Sequence, residues 1–153
     1  MSTKILRNIF SRALFLAAFS VCCFSTTYCE NQGGDNDVYS LVAQGRRLAK
    51  ERKYDEAIKV FSQAKSIDPK SALPDTGLGI MFLKMGEYAE SERYLSSAES
   101  LDPNLVPVQY TLAMLYEKLG RNGDAIRYWN KLYNNAEFKE SAKMHLKFLG
   151  VKK

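Results

Sequence analysis

Residues 72–105, ALPDTGLGIMFLKMGEYAESERYLSSAESLDPNL, decide the fold. Two runs of about a dozen residues carry apolar side chains at helical spacing. They are separated by Met85-Gly86-Glu87, where glycine suits the left-handed residue that ends a helix. Asp102-Pro103 closes the second run, and Pro74 falls in a first turn, where a missing N–H costs nothing. The same layout stands 34 residues earlier: Asp68-Pro69 for Asp102-Pro103, Tyr54 for Tyr88, Gly45 for Gly79, Phe61 for Leu95 and Ala64 for Ala98. A further step of 34 lands on Ala113, Asn122, Ala125, Trp129 and Leu132. One period therefore organises the chain from Val38 onward.

Small residues recur where paired helices must touch. Gly45, Gly79 and Ala113 on the first helix of each unit meet Ala57, Ser91 and Ala125 on the second, and bulky Phe61, Leu95 and Trp129 fill the space between neighbouring units. One such pair cannot bury its apolar face alone, so successive pairs must stack. The chain thereby resembles the tetratricopeptide repeat family. Residues 72–105 supply Gly79, Phe82, Gly86, Tyr88, Ala98 and Pro103 to the family pattern, with Ser91 where alanine is usual. Residues 38–71 supply Gly45, Tyr54, Ala57, Phe61, Ala64 and Pro69, departing at Leu48 and Arg52. Residues 106–139 supply Ala113, Tyr116, Gly120, Ala125 and Trp129, and lose the tyrosine at Asn122 and the proline at Glu137.

The resemblance implies an all-α fold, an α-solenoid of three helical hairpins (38–71, 72–105, 106–139) plus a C-terminal capping helix at 138–149. That last stretch places Phe138, Ala142, His145 and Leu149 on one face and ends at Gly150. Seven helices are expected, with a third unit spliced into the cap.

The N-terminus has a different character. Lys4, Arg7 and Arg12 precede the uncharged run ALFLAAFSVCCF at 13–24, the layout of an export signal. The uncharged stretch 13–28 is shorter than the ~20 residues a membrane-spanning helix needs. Residues 1–29 are therefore read as a signal peptide or N-terminal anchor, and the polar, glycine-containing 30–37 as a linker. All three cysteines lie in this leader, at 22, 23 and 29. Cys23 is the candidate for acylation, and membrane association is expected only through the leader. Export places the protein in the periplasm or cell envelope, with secretion or mitochondrial import as alternatives.

Three of the 22 basic residues belong to the leader, which has no acid, so the rest of the chain carries 19 basic and 17 acidic groups. So small a surplus does not make a nucleic-acid-binding face. After the leader there is one histidine, His145, and no cysteine, which removes thiol nucleophiles and cysteine-based zinc sites. No phosphate-loop, dinucleotide, zincin or nucleophile-elbow string occurs. The reading is a non-enzyme without cofactor or metal, with His145 a packing residue.

In the family, the first helices line a concave groove that holds a partner's segment. The matching positions here are Tyr39, Val42, Arg46 and Lys50, then Ile80, Leu83 and Lys84, then Tyr110, Met114 and Lys118. Truncating Tyr110 is expected to weaken binding while sparing stability. The lysine-rich clamp by which some members grip a chaperone's C-terminus is not matched, because its places hold Val42, Arg46, Gly77, Pro107 and Thr111. The function implied is a scaffold or assembly factor binding a protein or peptide segment. Self-association into a homo-oligomer and a non-catalytic subunit of an envelope enzyme are the alternatives.

Overall fold

The computed structural model describes residues 37–151. The leader, its cysteines including Cys23, and all of the linker but Asp37 lie outside the described residues. Seven helices follow in order: α1 Val38–Lys50, α2 Tyr54–Ile67, α3 Ala72–Met85, α4 Tyr88–Leu101, α5 Val106–Lys118, α6 Asn122–Tyr133 and α7 Lys139–Phe148. Each consecutive pair from α1 to α6 forms an antiparallel hairpin, the hairpins stack in tandem, and α7 packs on α6.

The turns inside the hairpins share one backbone device. At the end of each first helix a residue in the left-handed region lets two amides reach back: Lys53 N–H to Leu48 O at 3.0 Å, Glu87 N–H to Phe82 O at 2.9 Å, and Arg121 N–H to Tyr116 O at 2.8 Å. This satisfies carbonyls the helix would otherwise leave unpaired. The left-handed residue is Gly86 (φ 84°) in the second hairpin and Gly120 (φ 68°) in the third, but Arg52 (φ 62°) in the first. The departure from glycine noted in the sequence is therefore a residue held where its Cβ is sterically disfavoured.

Between units, aspartate makes the turn. Asp68 Oδ1 accepts from Lys70 N–H and Asp102 Oδ1 from Asn104 N–H, both at 3.0 Å. The third unit has no Asp-Pro. There α6 is two residues shorter than α4, and Asn135 Oδ1 accepts from Glu137 N–H at 3.0 Å to turn the chain into α7.

The small-residue positions set the spacing of the helices. A Cβ on Gly45 would lie 2.6 Å from Phe61 Cε1, and one on Gly77 2.5 Å from the same atom, so the Phe61 ring is held between two glycines on α1 and α3. Gly79 lies against Leu95, and the buried Ser91 hydroxyl donates to Gly79 O at 2.8 Å, which explains serine where the pattern expects alanine. Phe82 stacks on Tyr94 (5.4 Å between centroids) and, one period later, Tyr116 stacks on Tyr128 (5.7 Å).

Two apolar clusters result. One is centred on Phe61, Leu78 and Met81, and the other on Leu95, Leu112, Trp129 and Leu146. Buried Asp75 is held between Lys65 Nζ at 2.6 Å and the Ser97 hydroxyl at 2.5 Å, linking α3 to α2 and α4. No helix among the described residues is long and apolar enough to cross a membrane.

Candidate functional site

The stacking leaves a cavity of about 420 Å³ between α1 and α3, closed at one edge by Pro107 of α5. Its floor is Ala49, Leu73, Ile80 and Met81, and Phe61 lies behind the gap left by Gly77. Arg46, Lys50 and Lys84 stand on its edge, all exposed, and no carboxylate lines it. A second depression adjoins it along α1, bordered by Tyr39, Val42, Ala43 and again Arg46, Lys50 and Leu73.

Of the residues assigned to the groove from sequence, Arg46, Lys50, Ile80 and Lys84 are brought together at the cavity, and Tyr39 and Val42 border the adjoining depression. Tyr39 is 73% exposed, whereas Val42 is 4% exposed and packs into the N-terminal core, so it offers little surface to a partner. The C-terminal half departs further from expectation. Tyr110 lies edge-on to Trp129 at 5.4 Å and against Phe138 at 5.7 Å, so its ring is half-buried packing rather than open groove. Leu83 and Met114 likewise pack partly against the C-terminal core, and Lys118 is exposed beyond them. Tyr39, Ile80 and Tyr110 therefore do not share one cavity.

The sequence reading passed over two residues of α7. Met144 is 65% exposed and Phe148 83%, and together with Glu117 and His145 they line a shallow depression at the end of the array. The signal was available: one more step of 34 from Tyr110, Thr111 and Met114 lands on Met144, His145 and Phe148. In this register α7 stands where the first helix of a fourth unit would, and it presents apolar side chains as well as Lys143 and Lys147 to solvent.

His145 stacks on Trp129 with centroids 4.1 Å apart and planes 11° from parallel, and its Nδ1 lies 2.9 Å from Glu117 Oε1. The same carboxylate oxygen accepts the indole N–H of Trp129 at 2.5 Å. The lone histidine thus ties α7 to α5 and α6. Two tyrosine hydroxyls on the outer side donate to carboxylates: Tyr116 to Glu92 at 3.1 Å and Tyr128 to Glu99 at 2.7 Å. Burial, then the neighbouring Glu92 carboxylate, raises the Tyr116 pKa to about 12, and burial and the bond to Glu99 raise that of Tyr128 as well. Among the described residues no group of three His, Cys, Asp or Glu side chains is placed to hold a metal ion.

Comparison with known proteins agrees with this architecture. The family model described as tetratricopeptide repeat matches residues 39–71 and 106–137. The hairpin between them, α3–α4, has the same turns and packing, and the chain carries tetratricopeptide repeats in an all-α solenoid. No curated protein matches the sequence. Among solved structures, the TPR domain of Arabidopsis OM64 superposes with a TM-score of 0.68 at 17% identity, over 76% of this chain and 97% of that one. The first TPR of Spaghetti (RPAP3) bound to the HSP90 peptide SRMEEVD gives 0.70 at 17% identity, over 76% and 94%. The Yersinia enterocolitica type III secretion chaperone SycD, in complex with a peptide of the translocator YopD, gives 0.67 at 20% identity, over 79% and 97%.

Proposed function

We propose that this chain is a non-enzymatic protein-interaction module, exported across a membrane, whose concave side receives a segment of another envelope protein during assembly or scaffolding. The observation that carries the reading is the open α1–α3 cavity, with its apolar floor and an edge of exposed cations. An apolar recess left open to solvent is the kind of surface that marks a binding site. Solved structures of the same fold hold peptides, an HSP90 peptide in one and a translocator peptide in another. His145 is engaged by Trp129 and Glu117, which leaves it a packing role. The export part of the reading rests on the charged and apolar layout of residues 1–24.

Photo-crosslinking from Ile80 in the native envelope fraction tests the module. The expected result is one crosslinked polypeptide that is lost when Lys84 is changed to Glu. Equal crosslinking from Arg127, which lies on α6 rather than at the cavity, would place binding elsewhere. The mass of the mature N-terminus tests export and acylation together. A second reading, self-association, is favoured by the exposed Met144 and Phe148. Sedimentation at several concentrations, with Phe148→Glu as control, decides it.

A further inference from the structure

The cations of this protein fall into two groups. Those outside the cavity are paired: Arg93 with Glu90 at 2.7 Å, Arg121 with Glu92 and with Asp124 at 2.7 Å each, Lys131 with Glu99 at 3.4 Å, and Lys65 with Asp75 at 2.6 Å. Arg46, Lys50 and Lys84, around the α1–α3 cavity, form no ion pair with any described residue, and the cavity wall contains no acid to offset them.

We propose that the segment received by the cavity is an internal acidic stretch of polypeptide with one bulky apolar anchor, the anchor entering between α1 and α3 and the flanking carboxylates meeting Arg46, Lys50 and Lys84. This rests on the reading of the chain as a peptide-binding module. The cavity, about 420 Å³ and floored by Leu73 and Ile80, lies in the range where a ligand group is well buried. Charge on its edge sets which segments approach and in what register.

Two features separate this occupant from others. A chain terminus would need donors converging on one carboxylate. Of the nearby candidates, Val42, Gly77 and Pro107 supply no side-chain donor, and the Thr111 hydroxyl is already committed to Pro107 O at 2.7 Å. A single-stranded nucleic acid would need exposed rings on which bases stack. The one aromatic side chain in the wall is Phe61, at 1% exposure.

The test uses the full chain and four synthetic probes: a C-terminally amidated peptide with glutamates flanking a central Phe, its free-acid form, its Phe→Ala form and its Glu→Lys form. Binding is followed by fluorescence anisotropy, and the Ile80 and Met81 methyl signals locate it. The amidated acidic peptide is expected to shift both methyls. It should weaken about tenfold or more on loss of the Phe ring and weaken again as salt rises. Lys50→Glu combined with Lys84→Glu should abolish its binding with the helical signal unchanged. Equal binding of the lysine peptide, or tighter binding of the free acid, overturns the proposal and leaves the peptide-binding module standing. If no probe moves Ile80 or Met81, both fall. Displacement of the peptide by an oligothymidylate at comparable concentration assigns the site to nucleic acid instead.

Discussion

Glu117 accepts the indole N–H of Trp129 at 2.5 Å and, through the same oxygen, faces His145 Nδ1 at 2.9 Å, so one carboxylate on α5 holds a ring from α6 and a ring from α7. Trp129 is fully buried and is the one tryptophan of the chain. Glu117→Ala leaves that N–H unpaired away from water, and urea unfolding should show a loss of about 1–3 kcal/mol. His145→Ala uncovers a face of the indole, so acrylamide should quench the tryptophan emission more strongly. An unchanged quenching constant would mean that α7 does not sit on Trp129 in solution.

At the first hairpin turn, Arg52 occupies the left-handed conformation that glycine takes at the corresponding turns of the other two hairpins. Its side chain is exposed and makes no hydrogen bond or ion pair that would be lost. Arg52→Gly should therefore stabilise the fold by about 1 kcal/mol, the relief of a Cβ held against the following carbonyl offset in part by the freer unfolded chain. A rise in melting temperature checks this, and a fall would show that the arginine is needed there.

Gly77 and Gly123 make a matched pair. A methyl at Gly77 meets the Phe61 ring at 2.5 Å, whereas one at Gly123 meets nothing within 4 Å. Gly77→Ala should cost about 1–3 kcal/mol through overpacking, and it narrows the floor of the cavity. Gly123→Ala should leave stability within about 0.5 kcal/mol of the parent, or raise it, because alanine is the better helix former. Equal effects on chemical denaturation would contradict the packing of α1 and α3 on Phe61.

Lys65 and Asp75 form an ion pair with one buried member: the aspartate side chain is 1% exposed and the lysine 35%. Lys65→Met strands the buried carboxylate. The loss should be about 1–3 kcal/mol, below that of a fully buried pair because water already screens the lysine. Glu90→Gln, at the exposed pair with Arg93, should cost less than about 0.5 kcal/mol. Thermal denaturation of the two variants side by side gives the comparison.

Tyr116, raised to about 12, and Tyr128, raised in the same direction, hold their protons more tightly folded than unfolded, where tyrosine titrates near 10. The folded state then binds the extra protons. Their contribution is fully present below pH ~10 and is lost as pH rises through the folded values. Stability should fall steeply above pH ~10, and tyrosinate absorbance should lag for these two rings until the helices melt. Tyr116→Phe and Tyr128→Phe should flatten that dependence. Titration of every ring near the free value would show that these hydroxyls are open to water.

What the sequence determined by itself is the local and periodic part of this protein. The hairpins, their Gly86 and Gly120 turns, the Asp-Pro links and the small residues facing Phe61 and Leu95 all follow from helical spacing and steric rules that act within a turn or between residues 34 apart. What only the tertiary structure decided is which first-helix residues remain open. Tyr110 and Met114 occupy groove positions by register, yet Tyr110 is covered by Trp129 and Phe138 and Met114 by the C-terminal core. The separation of paired from unpaired cations is equally long-range, since Lys131 reaches Glu99, and Arg121 reaches Glu92, across neighbouring repeats. A helix face is shared between the next hairpin and solvent, and no local rule says where that division falls. It falls where the neighbouring side chains end, which is set by how the hairpins stack.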